Sequence, residues 1–180
     1  MRIIAGKHKG LTLLEFEAGN IRPTIDRVRE NIFNKIQFGV MGSKVLDLFG
    51  GTGAVSLEFV SRGAEEVITC DNNKNSINLI KKNFAKAKEN PNILDKDFKD
   101  ALKCLKDKKF DYIFLDPPYA ENYGEEAIKL ISQYNLLEED GLIIYEHIEN
   151  KDFALPNTME IVDTKKYGTV FVSYIRWKEW

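Results

Sequence analysis

Cysteine and histidine are scarce in this 180-residue chain, at two each. Cys70 and Cys104 match neither a metal knuckle nor a redox pair in their spacing, and adding His8 and His147 still leaves too few ligands for a zinc site. Buried reduced thiols and no metal are the expectation. No segment approaches the ~20 apolar residues that a bilayer crossing needs, and nothing near the start joins a cationic stretch to an apolar run and a small-residue cleavage site. A soluble, cytoplasmic protein without membrane contact is expected. Pro/Gly/Ser linkers, low-complexity tracts and internal repeats are missing too, which excludes a string of modules. A large excess of one charge is also lacking. The 26 Lys and Arg against 28 Asp and Glu give a net charge of −2, which argues against a protein that coats nucleic acid by neutralising phosphates. The charge is uneven, however. Residues 1–29 carry six cations (Arg2, Lys7, Lys9, Arg22, Arg27, Arg29) against three acids (Glu15, Glu17, Asp26), so a nucleic-acid contact, if present, belongs there.

What is present is a regular alternation of short apolar runs and helical periodicities. The opening stretch Arg2 to Phe16 reads as a hairpin, with Ile3-Ile4 and Leu11 to Leu14 flanking the turn-like Lys7-His8-Lys9-Gly10. Thr24 then suits the N-cap of a helix with Ile25, Val28, Ile32 and Ile36 on one face and Arg27 and Arg29 pointing elsewhere. From Lys44 the pattern is strand, turn, helix, repeated. Strands are expected at Val45–Phe49, Val67–Cys70, Asn92–Leu94, Tyr112–Leu115 and Leu142–Tyr145, and helices at Ala54–Arg62, around Ile77 to Phe84, at Phe98–Lys106 and at Glu125–Tyr134. Such alternation implies a parallel sheet covered on both faces. Two further strands, Glu160–Thr164 and Val170–Arg176, are joined by a turn too short for a crossover and must pair antiparallel. The expected fold class is therefore α/β: a Rossmann-like, seven-stranded methyltransferase sheet, mostly parallel with an antiparallel hairpin at its C-terminal end. Residues 1–40 form an N-terminal hairpin and helix extension to a domain spanning 41–180.

Ligands of such sheets bind outside the carboxyl ends of the strands. The unusual residues of this chain fall there. Asp47-Leu48-Phe49-Gly50-Gly51-Thr52-Gly53 follows the first strand, and its small residues let the backbone approach a ligand closely. A dinucleotide fingerprint would place a third glycine where Ser56 stands. The segment suits a ligand without phosphate: Asp47 can pair with the ammonium of a methionine moiety, and the glycine loop can pass beneath a sugar and a sulfonium. Asp71, at the tip of the second strand, can accept hydrogen bonds from ribose hydroxyls. Asp97-Phe98 can bind an adenine amino group and cover its ring, with Asp100-Ala101 as a competing placement. The cofactor expected is S-adenosyl-L-methionine (AdoMet).

Asp116-Pro117-Pro118-Tyr119 closes the fourth strand. Two prolines stiffen the backbone and remove two N–H donors, fixing outward carbonyls where the strand stops. An exocyclic amine on a base is a weak nucleophile because its lone pair is delocalised into the ring. If the Asp116 carboxylate and the Pro117 carbonyl each accept one amino proton, the nitrogen is held towards tetrahedral geometry, and orientation with electrostatic preorganisation supplies most of the rate. A carboxylate of ordinary pKa, about 4, is a poor base for a neutral amine, so the proton should leave after transfer. Tyr119 would stack on an unstacked or flipped base.

These segments resemble the RsmD family of bacterial 16S ribosomal RNA guanine-N2 methyltransferases over nearly the whole chain. The resemblance rests on Arg2-Ile3-Ile4-Ala5-Gly6-Lys7 with Lys9-Gly10, on Arg22-Pro23-Thr24 with Asp26-Arg27-Val28-Arg29-Glu30 and Phe33-Asn34, and on Asp47-Leu48-Phe49 with its glycine loop. It continues in Ser61-Arg62-Gly63-Ala64, Asp116-Pro117-Pro118-Tyr119 and Tyr167-Gly168. The glycine loop and Asp-Pro-Pro-Tyr are shared by many amino-directed methyltransferases, whereas the N-terminal block is more selective. Gly50 departs from a frequent Ala and His8 from a frequent aromatic. The resemblance implies that Asp116, Pro117, Pro118 and Tyr119 are catalytic. It places Asp47, Gly51, Gly53 and Asp71 at the cofactor and the N-terminal hairpin with Arg22 and Arg27 near RNA; the reading of the residues adds Phe49, Asp97 and Phe98 at the cofactor and Lys7, Lys9 and Tyr119 at the substrate. The expected partner is 16S rRNA, within a partly assembled small ribosomal subunit or as naked RNA, and the expected state is a monomer.

Rival readings use the same residues. A DNA adenine-N6 or cytosine-N4 methyltransferase would share the tetrapeptide but normally needs an added base-reading module, for which 180 residues leave little room. Methylation of a protein amide is a further variant. A non-catalytic AdoMet-fold RNA-binding module would not need Asp116-Pro117-Pro118-Tyr119 intact, and a nicotinamide dehydrogenase would want the third glycine.

Overall fold

The computed structural model describes residues 1–17, 23–119, 121–148 and 153–179, with the side chains of 23–25 left aside. Its elements run α1 (Pro23–Val40), β1 (Lys44–Asp47), α2 (Ala54–Ser61), β2 (Glu66–Asp71), α3 (Lys74–Lys86), β3 (Asn92–Asp95), α4 (Phe98–Cys104), β4 (Phe110–Leu115), α5 (Tyr123–Gln133), β5 (Leu137–His147), β6 (Met159–Tyr167) and β7 (Val170–Trp177). The seven strands form one sheet in the order β3-β2-β1-β4-β5-β7-β6. Pairing is parallel from β3 through β5, and β7 runs antiparallel to both β5 and β6. This is the class I methyltransferase variant of the Rossmann-like fold.

Alternating strand residues feed two cores. On one face, Leu46, Ile113, Leu115 and Ile143 pack with Phe98, Ala101 and Leu102 of α4 and Ala127, Ile128 and Ile131 of α5. On the other, Val45, Phe114 and Ile144 pack with Val28, Ile32, Phe33, Ile36 and Val40 of α1 and with Phe59 of α2. The period of two along each buried strand makes this double coverage obligatory.

The N-terminal segment forms a hairpin-like loop held by one antiparallel bridge, Arg2 to Thr12, where the sequence suggested two strands. Backbone bonds such as Ile3 N to Leu11 O (3.0 Å) and Leu13 N to Met1 O (2.8 Å) close the loop, and further backbone groups bond to side chains of α2 and α3. Glu58, fully buried, accepts from the amides of Ile4 (2.8 Å) and Ala5 (3.1 Å). Asn83, also fully buried, accepts from Leu14 N (2.7 Å) and donates to the carbonyls of Leu14 (3.0 Å) and Thr52 (2.8 Å). Gly6, at φ +87°, lies so close to α2 that a Cβ would fall 2.0 Å from the Ser61 carbonyl oxygen.

Four sequence readings are corrected. Cys70 is a buried free thiol, but Cys104, expected to be buried as well, is exposed at the end of α4. The helix starts at Pro23, so Thr24 lies within its first turn and does not cap it; proline's fixed φ suits the first helical position. Arg29 does not point away from the apolar face but is 4% exposed. At about 100° per residue it falls in phase with Phe33 and Ile36, so the buried face of α1 is wider than the Val28-Ile32 stripe indicates. The fifth strand begins at Leu137, not Leu142. Leu137 pairs with Phe110 and Leu142 with Tyr112, so the polar stretch between them bulges from the ladder, which hid the strand's start.

Candidate active site

The order of β1 and β4 reverses the direction of winding, and loops leaving their carboxyl ends splay apart there. Two hollows that share lining residues lie at this switch point. A crevice of about 550 Å³ is lined by the glycine loop, Asp71, Asp97, Phe98 and Asp116 to Tyr119. A chamber of about 280 Å³ is lined by Asp47, Arg29, Phe33 and Glu146 together with the glycine loop. Phe49, Gly51 and Asp116 border both. A larger groove, about 1130 Å³, runs past Phe38, Tyr112 and Trp177, away from these strand ends and their acids.

The glycine loop is shaped by close approach. A Cβ on Gly50 would lie 2.6 Å from Thr69 Cγ2, and the Gly50 amide donates to the Cys70 carbonyl at 2.8 Å. Gly53 caps α2 at φ +83°, a conformation costly for any side chain. Asp47, 1% exposed, is held by the Ser56 hydroxyl, which donates to Oδ2 at 2.7 Å; its Oδ1 has no hydrogen-bond partner. Burial pushes this carboxyl up to about 7; the Ser56 hydrogen bond opposes the shift, and the charges of Asp116 and Asp71 add to it.

Asp71 is oriented by two backbone amides, Gly51 N to Oδ2 (3.0 Å) and Asn73 N to Oδ1 (2.8 Å). A carboxylate so held at the tip of β2 can still accept from a pair of hydroxyls. Across the crevice Asp97 caps α4, accepting from Lys99 N at 3.0 Å. Phe98 packs between Phe49 (centroids 5.4 Å apart) and Tyr123 (5.0 Å), giving the crevice an aromatic wall fit for a flat ring. Of the two competing acids, Asp97 lines the crevice, while Asp100 is exposed within α4 and is not among its lining residues.

At the end of β4, Asp116 meets Glu146, its neighbour at the end of β5, where Leu115 pairs with Tyr145. Burial raises the pKa of both carboxyls. The nearby Asp116 charge raises that of Glu146 further, and a hydrogen bond from the Tyr119 hydroxyl holds it back. Two buried carboxyls side by side titrate as a pair and can pass a proton between them. Pro117, Pro118 and Tyr119 follow directly, and Tyr119 is 43% exposed at the mouth.

The crevice brings together Phe49, Gly51, Asp71, Asp97, Phe98 and Asp116 to Tyr119; Asp47 lines the neighbouring chamber, and Gly53 lines neither. The crevice does not gather the N-terminal lysines. Lys7 pairs with Glu89 (2.6 Å) beyond the C-terminal end of α3, and Lys9 borders a shallow hollow with Lys86 and Lys88. The 13 residues of α3 put that end about 20 Å from Asn73 at the crevice. Arg27 is exposed on α1, and Arg22 lies outside the described residues. Among the described residues no group of three or more His, Cys, Asp or Glu side chains could hold a metal ion, and no helix is long and apolar enough to cross a membrane.

The sequence profile of the family described as Conserved hypothetical protein 95 matches residues 1–176. The chain belongs to this family, that of RsmD and YlbH. It is 37% identical over 180 residues to Bacillus subtilis YlbH, covering 96% of this chain and 97% of that protein. It is 34% identical over 174 residues to the Haemophilus influenzae protein named Ribosomal RNA small subunit methyltransferase D, covering 94% and 90%. The solved structure of Escherichia coli yhhF superposes with a TM-score of 0.87 at 28% identity, covering 100% of this chain and 99% of that one. The RsmD/YlbH family has the class I methyltransferase fold and uses AdoMet, and this member is an AdoMet-dependent methyltransferase.

Several crevice residues escape sequence reasoning. Glu146 carries a usable signal, an acid directly after the apolar run of β5, like Asp71 and Asp116 after theirs. Tyr123 opens α5 as an ordinary helical aromatic, and Ser56 stands out only as a missing glycine. Arg29 gives no signal, because its burial depends on how α1 docks on the sheet.

Proposed function

We propose that this protein methylates the exocyclic N2 amino group of a guanine in 16S rRNA. The observation that carries the reading is the meeting of two features. An acidic, glycine-lined crevice ends at the Asp116 carboxylate, and two prolines beside it fix the backbone carbonyls.

The donor set fits AdoMet. Asp47, Asp71, Asp116 and Glu146 make the site acidic, and the unpartnered Oδ1 of Asp47 awaits a donor. A sulfonium and an ammonium suit such a field, and a pyrophosphate does not. Bound there, AdoMet would supply an electrophilic methyl group. In this reading Asp47 holds the amino-acid end and Asp71 the ribose. Asp97 takes the adenine amino group and Phe98 covers the ring, with Phe49, Gly51 and Gly53 shaping the floor.

Asp116 and the Pro117 carbonyl accept the two amino protons of the target base, which aims the nitrogen lone pair at the methyl carbon. Once the nitrogen is methylated it is cationic and sheds a proton, which the Asp116–Glu146 pair accepts. Tyr119, tethered to Glu146, offers its ring to the extruded base. Guanine suits this end of the crevice because its N1–H and N2 amino group present donors side by side to acceptors. Adenine and cytosine lack that ring N–H donor and, like guanine at N3, carry an acceptor beside the amino group.

The small-subunit rRNA substrate is supported by the name of the H. influenzae relative and by the N-terminal cations. Arg27, exposed on α1, is one candidate for RNA; Lys7 and Lys9 would contact it away from the crevice, and Arg22 falls in the same basic segment. The test is nucleoside mass spectrometry of 16S rRNA and 30S particles treated with the protein and AdoMet. N2-methylguanosine is expected, lost in Asp116→Ala while AdoMet still raises the melting temperature. A different methylated nucleoside, or full turnover by Asp116→Ala, would remove the assignment.

A further inference from the structure

Lysine is the only charged residue type on α3. Between Asp71 and Glu89 the chain has Lys74, Lys81, Lys82, Lys86 and Lys88 and no acid, although the whole protein has a net charge of −2. At about 100° per residue, Lys74, Lys81, Lys82 and Lys86 share the side of the helix opposite buried Ile77, Ile80 and Asn83. All five lysines are exposed. Among the described residues, lysine ion pairs engage Lys7, Lys35, Lys99, Lys108 and Lys165 and none of these five. Glu89, the acid that follows the row, already binds Lys7 (2.6 Å) and His8 (2.8 Å).

The arrangement works against the helix itself. Lys74 stands in the first turn, where the helix dipole favours an anion, and Lys82 and Lys86 repel one another across one turn. Lys86 Nζ donates to the Thr12 carbonyl at 2.6 Å, and Lys88 borders one shallow hollow with Lys9 of the N-terminal loop. A row of cations therefore starts beside Asn73 and Ser76, which line the crevice, and runs about 20 Å to that loop. We propose that this row binds the sugar-phosphate backbone of the RNA flanking the target nucleotide, an inference that rests on the rRNA reading of the site. A line of point charges neutralises successive phosphates and sets the position of the RNA, while the base is read in the crevice. No large apolar side chain is exposed on α3, so the face lacks the anchors that a protein partner or a lipid surface would need.

The test compares wild type with Lys81→Gln/Lys82→Gln/Lys88→Gln and with a control, Lys103→Gln/Lys106→Gln/Lys109→Gln, which removes the same charge from exposed positions elsewhere. Glutamine keeps the helix propensity of lysine, so both variants should fold. Binding of protein-free 16S rRNA and of 30S particles is titrated at several salt concentrations, alongside initial methylation rates. The α3 variant should lose roughly ten- to 100-fold in affinity for both at about 100 mM salt, and its slope of log affinity against log salt should fall by about two. The loss should appear in KM for RNA rather than in kcat, with the melting-temperature shift by AdoMet equal to that of wild type. Unchanged affinity and slope overturn the proposal, as does an equal loss in the control, which would make net charge the cause. A loss seen only with 30S particles overturns it too, by assigning the face to a ribosomal protein. Failure of wild type to bind or methylate either substrate would instead refute the rRNA reading.

Discussion

The Ser56 hydroxyl donates to Asp47 Oδ2 at 2.7 Å and also lies 2.7 Å from the Thr69 hydroxyl, so the first turn of α2 fixes which carboxylate oxygen of β1 faces the chamber. The position that would hold a glycine in a dinucleotide site is used here to aim an acid. Ser56→Ala removes that hydrogen bond inside a buried site. AdoMet affinity should fall roughly five- to 30-fold, about 1–2 kcal/mol, by titration calorimetry. An unchanged affinity would show that Asp47 needs no orientation.

Asp47 also predicts a proton release. Burial holds this carboxyl near 7, and an arriving ammonium and sulfonium favour its ionised form. Below about pH 7 binding must expel the proton, so affinity should weaken as pH falls through that value, by up to about tenfold per unit. Calorimetry in buffers of different ionisation enthalpy should find net release at pH 6 and little at pH 9. Asp47→Asn should lower affinity and remove most of the release.

Asp116 and Glu146 should cost stability at neutral pH. Each carboxyl titrates higher folded, near 7 and 8, than unfolded, near 4, so the folded state keeps protons that the unfolded chain has lost. The ligand-free protein should therefore lose stability as pH rises from about 4 through about 8 and level off above. In urea titrations Asp116→Asn should gain on wild type across that window, by on the order of 2 kcal/mol. A gap that stays constant with pH would mean that Asp116 is not the titrating group.

Glu58 is a buried acid whose removal should destabilise the fold. It accepts from Ile4 N, Ala5 N and, at 2.9 Å, Arg62 Nε, so its charge is answered on every side. Glu58→Ala should cost about 2–4 kcal/mol in chemical denaturation and loosen the N-terminal segment, read as faster amide exchange at Ile4 and Ala5. Protection left intact at those amides would show that the segment is held mainly by its apolar contacts.

Much of the crevice could be read in the chain because its acids follow apolar runs that can only be buried strands. Asp47, Asp71 and Asp116 each end one, and a parallel sheet brings such ends to one edge. The glycine loop was equally plain as a motif: Gly53 answers a local need for positive φ, whereas the close approach of Gly50 to Thr69 is a tertiary contact. The beginning of β5 was not, because Glu138 to Gly141 form a polar bulge that breaks the strand's period. Nor was the separation of Lys7 and Lys9 from the crevice, which follows from the hairpin-like loop docking along α2 to the far end of α3.

By itself the amino-acid sequence determined the α/β alternation, the family and the acids at the strand ends, because these rest on periodicity and turn chemistry acting over a few residues. Only the tertiary structure decided that Glu146 adjoins Asp116, that Ser56 aims Asp47, and that Arg29 turns inward. Those relationships depend on which strands neighbour one another and how α1 settles on the sheet. Such contacts join residues far apart in the chain and leave no periodic trace in it.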